Sequence, residues 1–403
     1  MSSVPELRLS DDTRIASIDV LRGVAVCGIL TMNIQSFGMP FEAYSNPAAY
    51  GSNDGIDRWI WRLQHVLADQ KFMTVFSMLF GAGICLMTGR AAERGPTLGL
   101  HYRRMTALLL FGLAHGWLVW YGDILFTYAL GGMAIYPCRK LRPRTLLLLG
   151  VATIAFCFAV GAVMSRLEQE FGQGERPPGL PLPAEEIRGY RGGYAENLAV
   201  RLPATLLIEF VATPLWLFWR AAGNMLLGMA FYKLGLFSAA KSRRFYTLLT
   251  IAGCGIGIPL AAFGVHRIEA RNFDPAFVEG AGQIPNFWAS EATALGIVGL
   301  VMLSSRSERF EALKRRLGAV GRMAFTNYLT QSLIATSLFY GFGFGLFGKL
   351  DRGGLQGVVF GIWLLQLIWS PLWLARFRYG PFEWLWRAAT YLRLPAMRSR
   401  APR

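Results

Sequence analysis

Apolar residues run along this chain in blocks of about 20, the length an α-helix needs to cross ~30 Å of hydrocarbon. Such blocks lie near 15–37, 72–89, 104–121, 122–138 and 145–165, and again near 205–236, 245–265, 286–304, 318–342 and 356–376. The pattern predicts an all-α polytopic transmembrane helix bundle of about ten spans. The sixth block is over-long and Arg220 interrupts it, so it holds one span or conceals two. The organisation expected is a single integral-membrane domain: a five-span part over 1–165, an extracytoplasmic loop over 166–201, a second five-span part over 202–378 and a basic cytoplasmic tail over 379–403. Glu168, Glu170, Glu175, Glu185, Glu186 and a Pro-Pro-Gly-Leu-Pro stretch suit the loop to an irregular connection with short helices, either a lid or a plain connector.

Composition agrees, since 53% of residues are hydrophobic and only 16% charged. A soluble fold could not hide so much apolar surface. The formal charge of +16 would, in a soluble protein, suggest nucleic acid. Its distribution argues otherwise. Alternate connections are strongly basic: Arg8 and Arg14; Arg90, Arg94, Arg103 and Arg104; Arg139, Lys140, Arg142 and Arg144; Lys233, Lys241, Arg243 and Arg244; Arg306 to Arg316; and the segment after 375. In the intervening connections acidic residues outnumber basic ones. Cytoplasmic loops retain Lys and Arg, so both termini are expected in the cytoplasm. The basic excess then reads as a topology signal and a surface for anionic lipid. Arg14, Asp19 and Arg22 precede or enter the first block with no small-residue cleavage site after it, which suits an uncleaved span. Cys27, Cys85, Cys138, Cys157 and Cys254 lie in apolar stretches without metal-ligand spacing, as packing residues do.

An ionisable side chain inside hydrocarbon costs at least ~2.5–3.5 kcal/mol, so each needs a partner, a watery cavity or a function. Asp19 and Arg22, three residues apart on the first helix, either neutralise each other or free Arg22 to hold a phosphate from the cytoplasm. Asn33 lies three turns further along, as a packing amide or a donor to a carbonyl. In the third block Gly112 and Gly116 form a small-residue face beside His115, and Asp123 follows at a tight turn. An imidazole oriented by a carboxylate is a sound general base, and a histidine bonded to a backbone carbonyl is the alternative. His65 is a second candidate base, while Lys71 marks the mouth of the second span or snorkels to the interface. Arg220 is expected to face the interior with Glu209 as one possible partner, and Arg322, Asn327, Tyr328 and Gln331 enter the ninth block as possible cavity-lining or binding residues. The chain lacks a phosphate loop, a Rossmann fingerprint, a His-Glu-x-x-His zinc motif and a nucleophile elbow.

Several motifs together carry a family resemblance: Ile18-Asp19-Val20-Leu21-Arg22-Gly23, Asn46-Pro47-Ala48-Ala49-Tyr50-Gly51, Lys71-Phe72 with Phe80-Gly81-Ala82-Gly83, His115-Gly116 with Gly122-Asp123-Ile124-Leu125, Gly321-Arg322-Met323-Ala324 with Thr326-Asn327-Tyr328-Leu329 and Gln331, and Gly380-Pro381-Phe382-Glu383-Trp384-Leu385-Trp386-Arg387. Their spacing over nearly the whole chain resembles the YeiB family of bacterial inner-membrane proteins, of the domain-of-unknown-function type. That family is in turn distantly similar to the transmembrane acyltransferase superfamily, which includes the heparan glucosaminide N-acetyltransferases.

The resemblance implies acyl-CoA, acetyl-CoA for example, as a co-substrate held from the cytoplasm. Its acyl group would pass to a small-molecule, glycan or lipid acceptor on the far side. Arg22, Arg322 and Asn327 would hold the CoA, His115 oriented by Asp123 would be the base, and Asn33 would stabilise the oxyanion. Asp19, His65, Lys71, Arg220, Tyr328 and Gln331 would line the cavity. In the glucosaminide enzymes the catalytic histidine lies in the outside loop after the first span, the place of His65, whereas the YeiB pattern favours His115. A transporter using His115, Asp123 and Arg220 as a relay, and a noncatalytic scaffold, are the competing expectations. A homo-oligomer is compatible with either.

Overall fold

The computed structural model describes residues 16–92, 95, 97–171 and 180–398. Arg8, Arg14, Arg94, Glu175, Pro177 and Pro178 lie outside the described residues, as do the side chains of Arg90, Glu168 and Glu170. The described chain is helical throughout, apart from one isolated bridge between Phe377 and Arg398. Its helices are α1 (Ala16–Gly38), α2 (Gly55–Leu67), α3 (Lys71–Ala92), α4 (Leu98–Leu118), α5 (Leu125–Ile135), α6 (Pro143–Phe171), α7 (Pro183–Arg191), α8 (Tyr194–Leu207) and α9 (Phe218–Lys233). They continue as α10 (Arg243–Ala270), α11 (Pro275–Glu279), α12 (Ile284–Ser305), α13 (Glu311–Arg322), α14 (Ala324–Phe339), α15 (Arg352–Arg376) and α16 (Pro381–Tyr391).

Seven helical stretches of the described chain are long and apolar enough to cross a membrane: Ala16–Gly38, Gly55–Gly89, Pro143–Arg166, Tyr194–Lys233, Arg243–Ala270, Pro275–Ser305 and Arg352–Arg376. The blocks near 104–121, 122–138 and 318–342 are not among them. Helix α4 has 21 residues, but His101, Arg103, Arg104 and His115 lower its hydropathy. Helix α5 has 11 residues and gives way to a 3₁₀ turn at Tyr136–Lys140, where Pro137 cannot donate a hydrogen bond. The ninth block breaks at Met323, between α13 and the 16-residue α14. At 1.5 Å per residue, α5 and α14 reach roughly 16 and 24 Å, short of the hydrocarbon thickness.

The over-long sixth block is one continuous rod, not two spans. Helix α8 runs through a π-helical segment, Ile208–Leu217, into α9. Pro203 and Pro214 remove two backbone donors from the rod, and a widened turn re-pairs the carbonyls they abandon.

Backbone-to-backbone crossings set the bundle's centre. A Cβ on Gly23 of α1 would strike the Leu317 carbonyl of α13, and one on Gly321 would strike that of Asp19, so the two helices need both glycines. Gly81 of α3 and Gly228 of α9 stand in the same reciprocal relation to Met225 and Met78. Such approach lets dispersion and Cα–H contacts hold helices where lipid gives no hydrophobic drive.

The alternate connections gather at opposite ends. At one end Ser45 donates to Glu279 (2.5 Å), Asn46 to the Phe273 carbonyl (3.0 Å), Tyr50 to that of Gly348 (2.8 Å) and Gly341 N–H to that of Tyr190 (2.7 Å). We call this the loop face. At the other, basic face, Arg306 bonds the Ala239 and Lys241 carbonyls and Lys233 that of Leu141. The segment after 379 is no simple tail. Helix α16 packs on α4 and α14, and its Glu383 accepts Phe325 N–H (2.8 Å), Thr326 N–H (3.0 Å) and Thr326 Oγ1–H (2.5 Å), capping the exposed donors of α14. Burial pushes the Glu383 carboxyl up, and these donors pull against it.

The glycine crossings yield a prediction. Gly81→Leu will lower stability by roughly 1–3 kcal/mol through overpacking, whereas Gly83→Ala, where a Cβ meets nothing within 4 Å, will raise it by about 0.5–1 kcal/mol. Thermal unfolding in detergent measures both.

Candidate functional site

Helix α4 ends at Leu118, and the chain turns sharply through 119–124 before α5. Arg201, fully buried, fixes that end by donating to the Trp117 (2.9 Å) and Val119 (2.5 Å) carbonyls. The turn carries Asp123 back beside His115. Their Nδ1···Oδ1 distance is 2.9 Å, and Asp123 Oδ2 accepts Phe126 N–H at 2.8 Å, capping α5. A carboxylate can only accept here, so His115 Nδ1 carries the proton. Its Nε2 is buried without a partner, and Tyr328 lies tilted beside the ring at 5.4 Å. The small-residue face lets neighbouring helices come close, α5 at Gly112 and α8 with the π-helical segment at Gly116, and it serves this turn as well. A Cβ on Gly112 would sit 2.9 Å from Asp123 Oδ2, and one on Gly116 2.6 Å from Glu209 Oε1. Glu209 therefore approaches the His115 turn, where its other oxygen accepts Trp117 Nε1–H at 2.7 Å.

Glu209 is not Arg220's partner. Eleven residues along a helix span roughly 16 Å, and Arg220 turns instead to Gln70, to Ser290 (2.5 Å) and to Glu291 (3.6 Å). Nor does Lys71 snorkel. It is fully buried, donating to the His65 carbonyl (2.6 Å) and to Asn286 Oδ1. Asn286 Nδ2–H in turn donates to Asp69 (2.6 Å), which also accepts Tyr44 O–H (3.0 Å). The amide thus bridges ammonium and carboxylate, each of which would be costly alone at such burial. Burial, then the Asp69 carboxylate, raises the Tyr44 hydroxyl well above the ordinary tyrosine range and keeps it a donor.

Above this network a cavity of about 940 Å³ opens in the loop-face half of the bundle. Asn33, His65, Asp69, Asp123, Tyr44 and Tyr328 are among its polar groups, Arg166 of α6 and Glu279 of α11 add charges at its rim, and apolar side chains of α1, α3, α6, the π-helical segment and α12 form much of the remainder. His65 is the cavity's imidazole. Its Nδ1 donates to the Trp61 carbonyl at 3.0 Å, which leaves Nε2 as an unprotonated acceptor, buried and unpartnered. His115 stands behind Asp123, outside the cavity wall.

Other residues singled out from the sequence lie elsewhere. Asp19 and Arg22 pair at 3.2 Å on α1, and Arg322 is exposed at the end of α13 beside Gly321. Asn327 is satisfied by the Val320 carbonyl (3.0 Å), Ser370 (3.1 Å) and Trp369 Nε1–H (3.1 Å), while Gln331 donates to Gln366 (3.0 Å). These amides clamp α14 to α15. Two residues not singled out join Arg22. Arg104 stacks over Trp386 at 4.3 Å, next in sequence to Arg387, which stacks over Tyr379 at 4.4 Å, so α16 brings both arginines to the basic face that Arg22 also approaches. The repeated arginines of the basic connections were a sequence signal for such a cluster, but nothing in the spacing linked Arg104 to the distant Arg387.

Residues 231–393 match the family described as a protein of unknown function, DUF418. Uncharacterized protein YeiB of Escherichia coli (strain K12) is 33% identical over 386 residues, 94% of this chain and 96% of that protein. Uncharacterized protein YxaH of Bacillus subtilis (strain 168) is 32% identical over 94% of each chain. The chain belongs to the YeiB family. An uncharacterized 39.9 kDa protein of Bacillus acidopullulyticus is similar at 26% identity over 95% of both. In this YeiB-family protein the DUF418 match takes in Asn286, Asn327, Tyr328 and Glu383 but stops short of His65, Asp69, His115 and Asp123. The similarity to YeiB, by contrast, extends over most of the chain.

The bridged charges can be probed directly. Tyr44→Phe, which removes one donor to a carboxylate, will cost about 1.5–3 kcal/mol. Asn286→Leu strips a partner from both Lys71 and Asp69 and will cost about 3–5 kcal/mol. Parallel thermal melts in one detergent give the order.

Proposed function

We propose that this YeiB-family protein is a membrane-embedded acyltransferase, moving an acyl group from cytoplasmic acyl-CoA to a hydroxyl or amine acceptor at the opposite face. It would reside in the bacterial inner membrane with both termini inside, its seven long apolar stretches joined by α4, the short α5 and the broken α13–α14 as further passes enclosed by neighbouring helices. The basic connections gathered at one end support that orientation. The observation that carries the chemistry is His65 on the cavity wall, its Nε2 unprotonated and unpartnered, with Asn33 and Asp123 lining the same space.

His65 Nε2 takes the acceptor's proton as its oxygen or nitrogen attacks the thioester carbonyl. Asn33 donates to the oxygen that becomes negative, and as the tetrahedral intermediate collapses the C–S bond breaks and the CoA thiolate leaves, taking the proton that His65 had accepted. Asp123 binds the acceptor's polar head, and His115 acts through it, holding one carboxylate oxygen in place. On the basic face Arg22, Arg104 and Arg387, with Arg322 nearby, suit the CoA phosphates. Along α1, Arg22 and Asn33 are separated by roughly 16 Å, the path a pantetheine arm would follow.

A second reading rests on a specific feature. A small void lined by Thr74, Arg220 and Asn224 shares Met73, Ile124 and Leu217 with the cavity and extends the polar path inward. That continuity favours a proton or anion relay, as a transporter needs.

Purified protein in nanodiscs, incubated with labelled acetyl-, succinyl- and longer acyl-CoAs, tests the proposal. Acyl turnover is expected. His65→Ala will reduce it by about 10²–10⁴-fold, and His115→Ala by up to about a hundredfold through misplacement of Asp123. A larger loss in the His115 variant would return the base to that residue. No acyl-CoA binding and no turnover, together with substrate flux into liposomes lacking acyl-CoA, would replace transfer by transport.

A further inference from the structure

Helix α6 and the rod of α8, the π-helical segment and α9 run side by side, and their contact changes character along its length. Toward the basic face α6 lies tight against α9, where a Cβ on Gly150 would meet the Gly223 carbonyl at 3.0 Å and one on Gly223 the Ile154 backbone nitrogen at 3.2 Å. At mid-length Cys157 Sγ–H still reaches the Trp216 carbonyl at 3.4 Å. Beyond that point the facing positions no longer fill the space between them. Cys157, Gly161 and Ser165 on α6, and Trp216, Ala212 and Ile208 on the π-helical segment, all line the cavity. Residues four apart stay near one face of a helix, so each set is a single facing stripe. A Cβ on Gly161 would meet nothing within 4 Å. The two helices therefore form a V, closed by glycine contacts at its base and opening into the cavity above.

The outer faces of both arms are apolar and exposed. Val163 and Met164 on α6, and Phe210, Val211 and Leu215 on the π-helical segment, are each 42–57% exposed. Both arms belong to stretches long and apolar enough to span a membrane. The V thus faces hydrocarbon along Cys157, Phe158, Gly161, Ala162, Ala212 and Trp216, with Ser165 and Arg166 at the outer end of the α6 arm, and the cavity runs from it to the polar end at Asn33, His65 and Asp123. A wholly water-soluble acceptor would have no use for an apolar side entrance, whereas a molecule with an aliphatic chain would keep that chain between the arms while its head met the polar end.

We propose that the cavity binds a membrane amphiphile entering sideways between α6 and the π-helical segment, its hydroxyl- or amine-bearing head placed at His65 and Asp123. That this amphiphile is the acyl acceptor rests on the acyltransferase reading; that it occupies the cavity does not. The entrance coincides with the π-helical segment, whose Ile208, Ala212 and Trp216 line the cavity.

The test uses the full chain in vesicles of phosphatidylcholine and phosphatidylglycerol, with a tracer phosphatidylethanolamine carrying a diazirine at its chain end. Photolysis and peptide mass spectrometry should place label on the cavity stripes, at Gly161, Ser165 or Ala212, as well as on the outward faces. Gly161→Trp should reduce the cavity label roughly tenfold and leave the outward label unchanged, and Ala212→Trp, from the opposite arm, should do the same. Val163→Trp, on the outer face of α6, should leave the cavity label intact. Label confined to Val163, Met164, Phe210 and Val211 in the wild-type protein would overturn the proposal. Cavity label without any acyl turnover would uphold it while removing the acyltransferase reading. Turnover on a soluble acceptor, undiminished in Gly161→Trp and without cavity label, would do the reverse.

Discussion

The centre of this bundle hangs on glycine crossings, above all Gly23 with Gly321 and Gly81 with Gly228, at which one helix backbone rests against another, and Gly253 with Gly296 joins α10 to α12 in the same way. Inside a bilayer, apolar side chains gain little by leaving lipid for protein, so close approach and many small dispersion contacts must hold helices together. The α1–α13 crossing fixes the helix that carries Arg22 near one end and Asn33 toward the other. The α3–α9 crossing fixes Arg220 under the mouth of α3, where Gln70 meets it. Because both crossings are backbone to backbone, neither tolerates side-chain repacking. The cavity walls inherit that rigidity.

A second constraint follows from the cost of burying polar groups. Within the described residues, buried cations are satisfied mainly by carbonyls and amides, not by direct carboxylate partners. Arg201 closes the end of α4, Arg352 binds the carbonyls of Ser52, Tyr50 and Pro47, and Lys71 reaches the His65 carbonyl and Asn286. A carbonyl offers a fixed dipole and demands no second desolvated charge. These staples also have a geometric consequence. They gather the connections of the loop face into a lid around the cavity, so irregular backbone occurs where it is anchored in protein.

The two histidines at the site are held in the same tautomer by different means, His65 by a carbonyl and His115 by a carboxylate. Both free nitrogens are buried, and the residues differ in where they stand relative to the cavity. His65 opens onto the cavity, and His115 is screened by Asp123, which itself lines the wall. Under the proposed acyl transfer, the pair of carboxylate and imidazole that looks most catalytic in the sequence orients a head group, and the less conspicuous His65, in the last turn of α2, moves the proton. On the proposed reading, donor and acceptor approach from opposite ends, with Arg22, Arg104 and Arg387 at one and the V between α6 and the π-helical segment serving the other.

Much of this was legible from residues alone. Lengths of apolar runs gave the all-helical membrane-type class, and motif spacing gave the family. His115 and Asp123 stood out as a candidate pair eight residues apart, but the sequence left open whether they touch or the imidazole meets a carbonyl, and the turn through 119–124 decides it by bringing Nδ1 within 2.9 Å of Oδ1. Charge alternation sorted the connections, which pair end by end as their composition suggested. Tertiary structure alone decided the partners of Arg220 and Lys71, since Ser290 and Asn286 come from a helix about two hundred residues from Lys71 and no local periodicity links them. It also decided that α5 and the ninth block stop short, that the sixth block is one rod, and that residues 381–391 cap α14. Helix propensity and hydropathy are sums over neighbours in the chain, so they fix what a segment is. Which faces close on glycine and which open on a cavity depends on how distant segments cross, and that is settled only when the whole bundle packs.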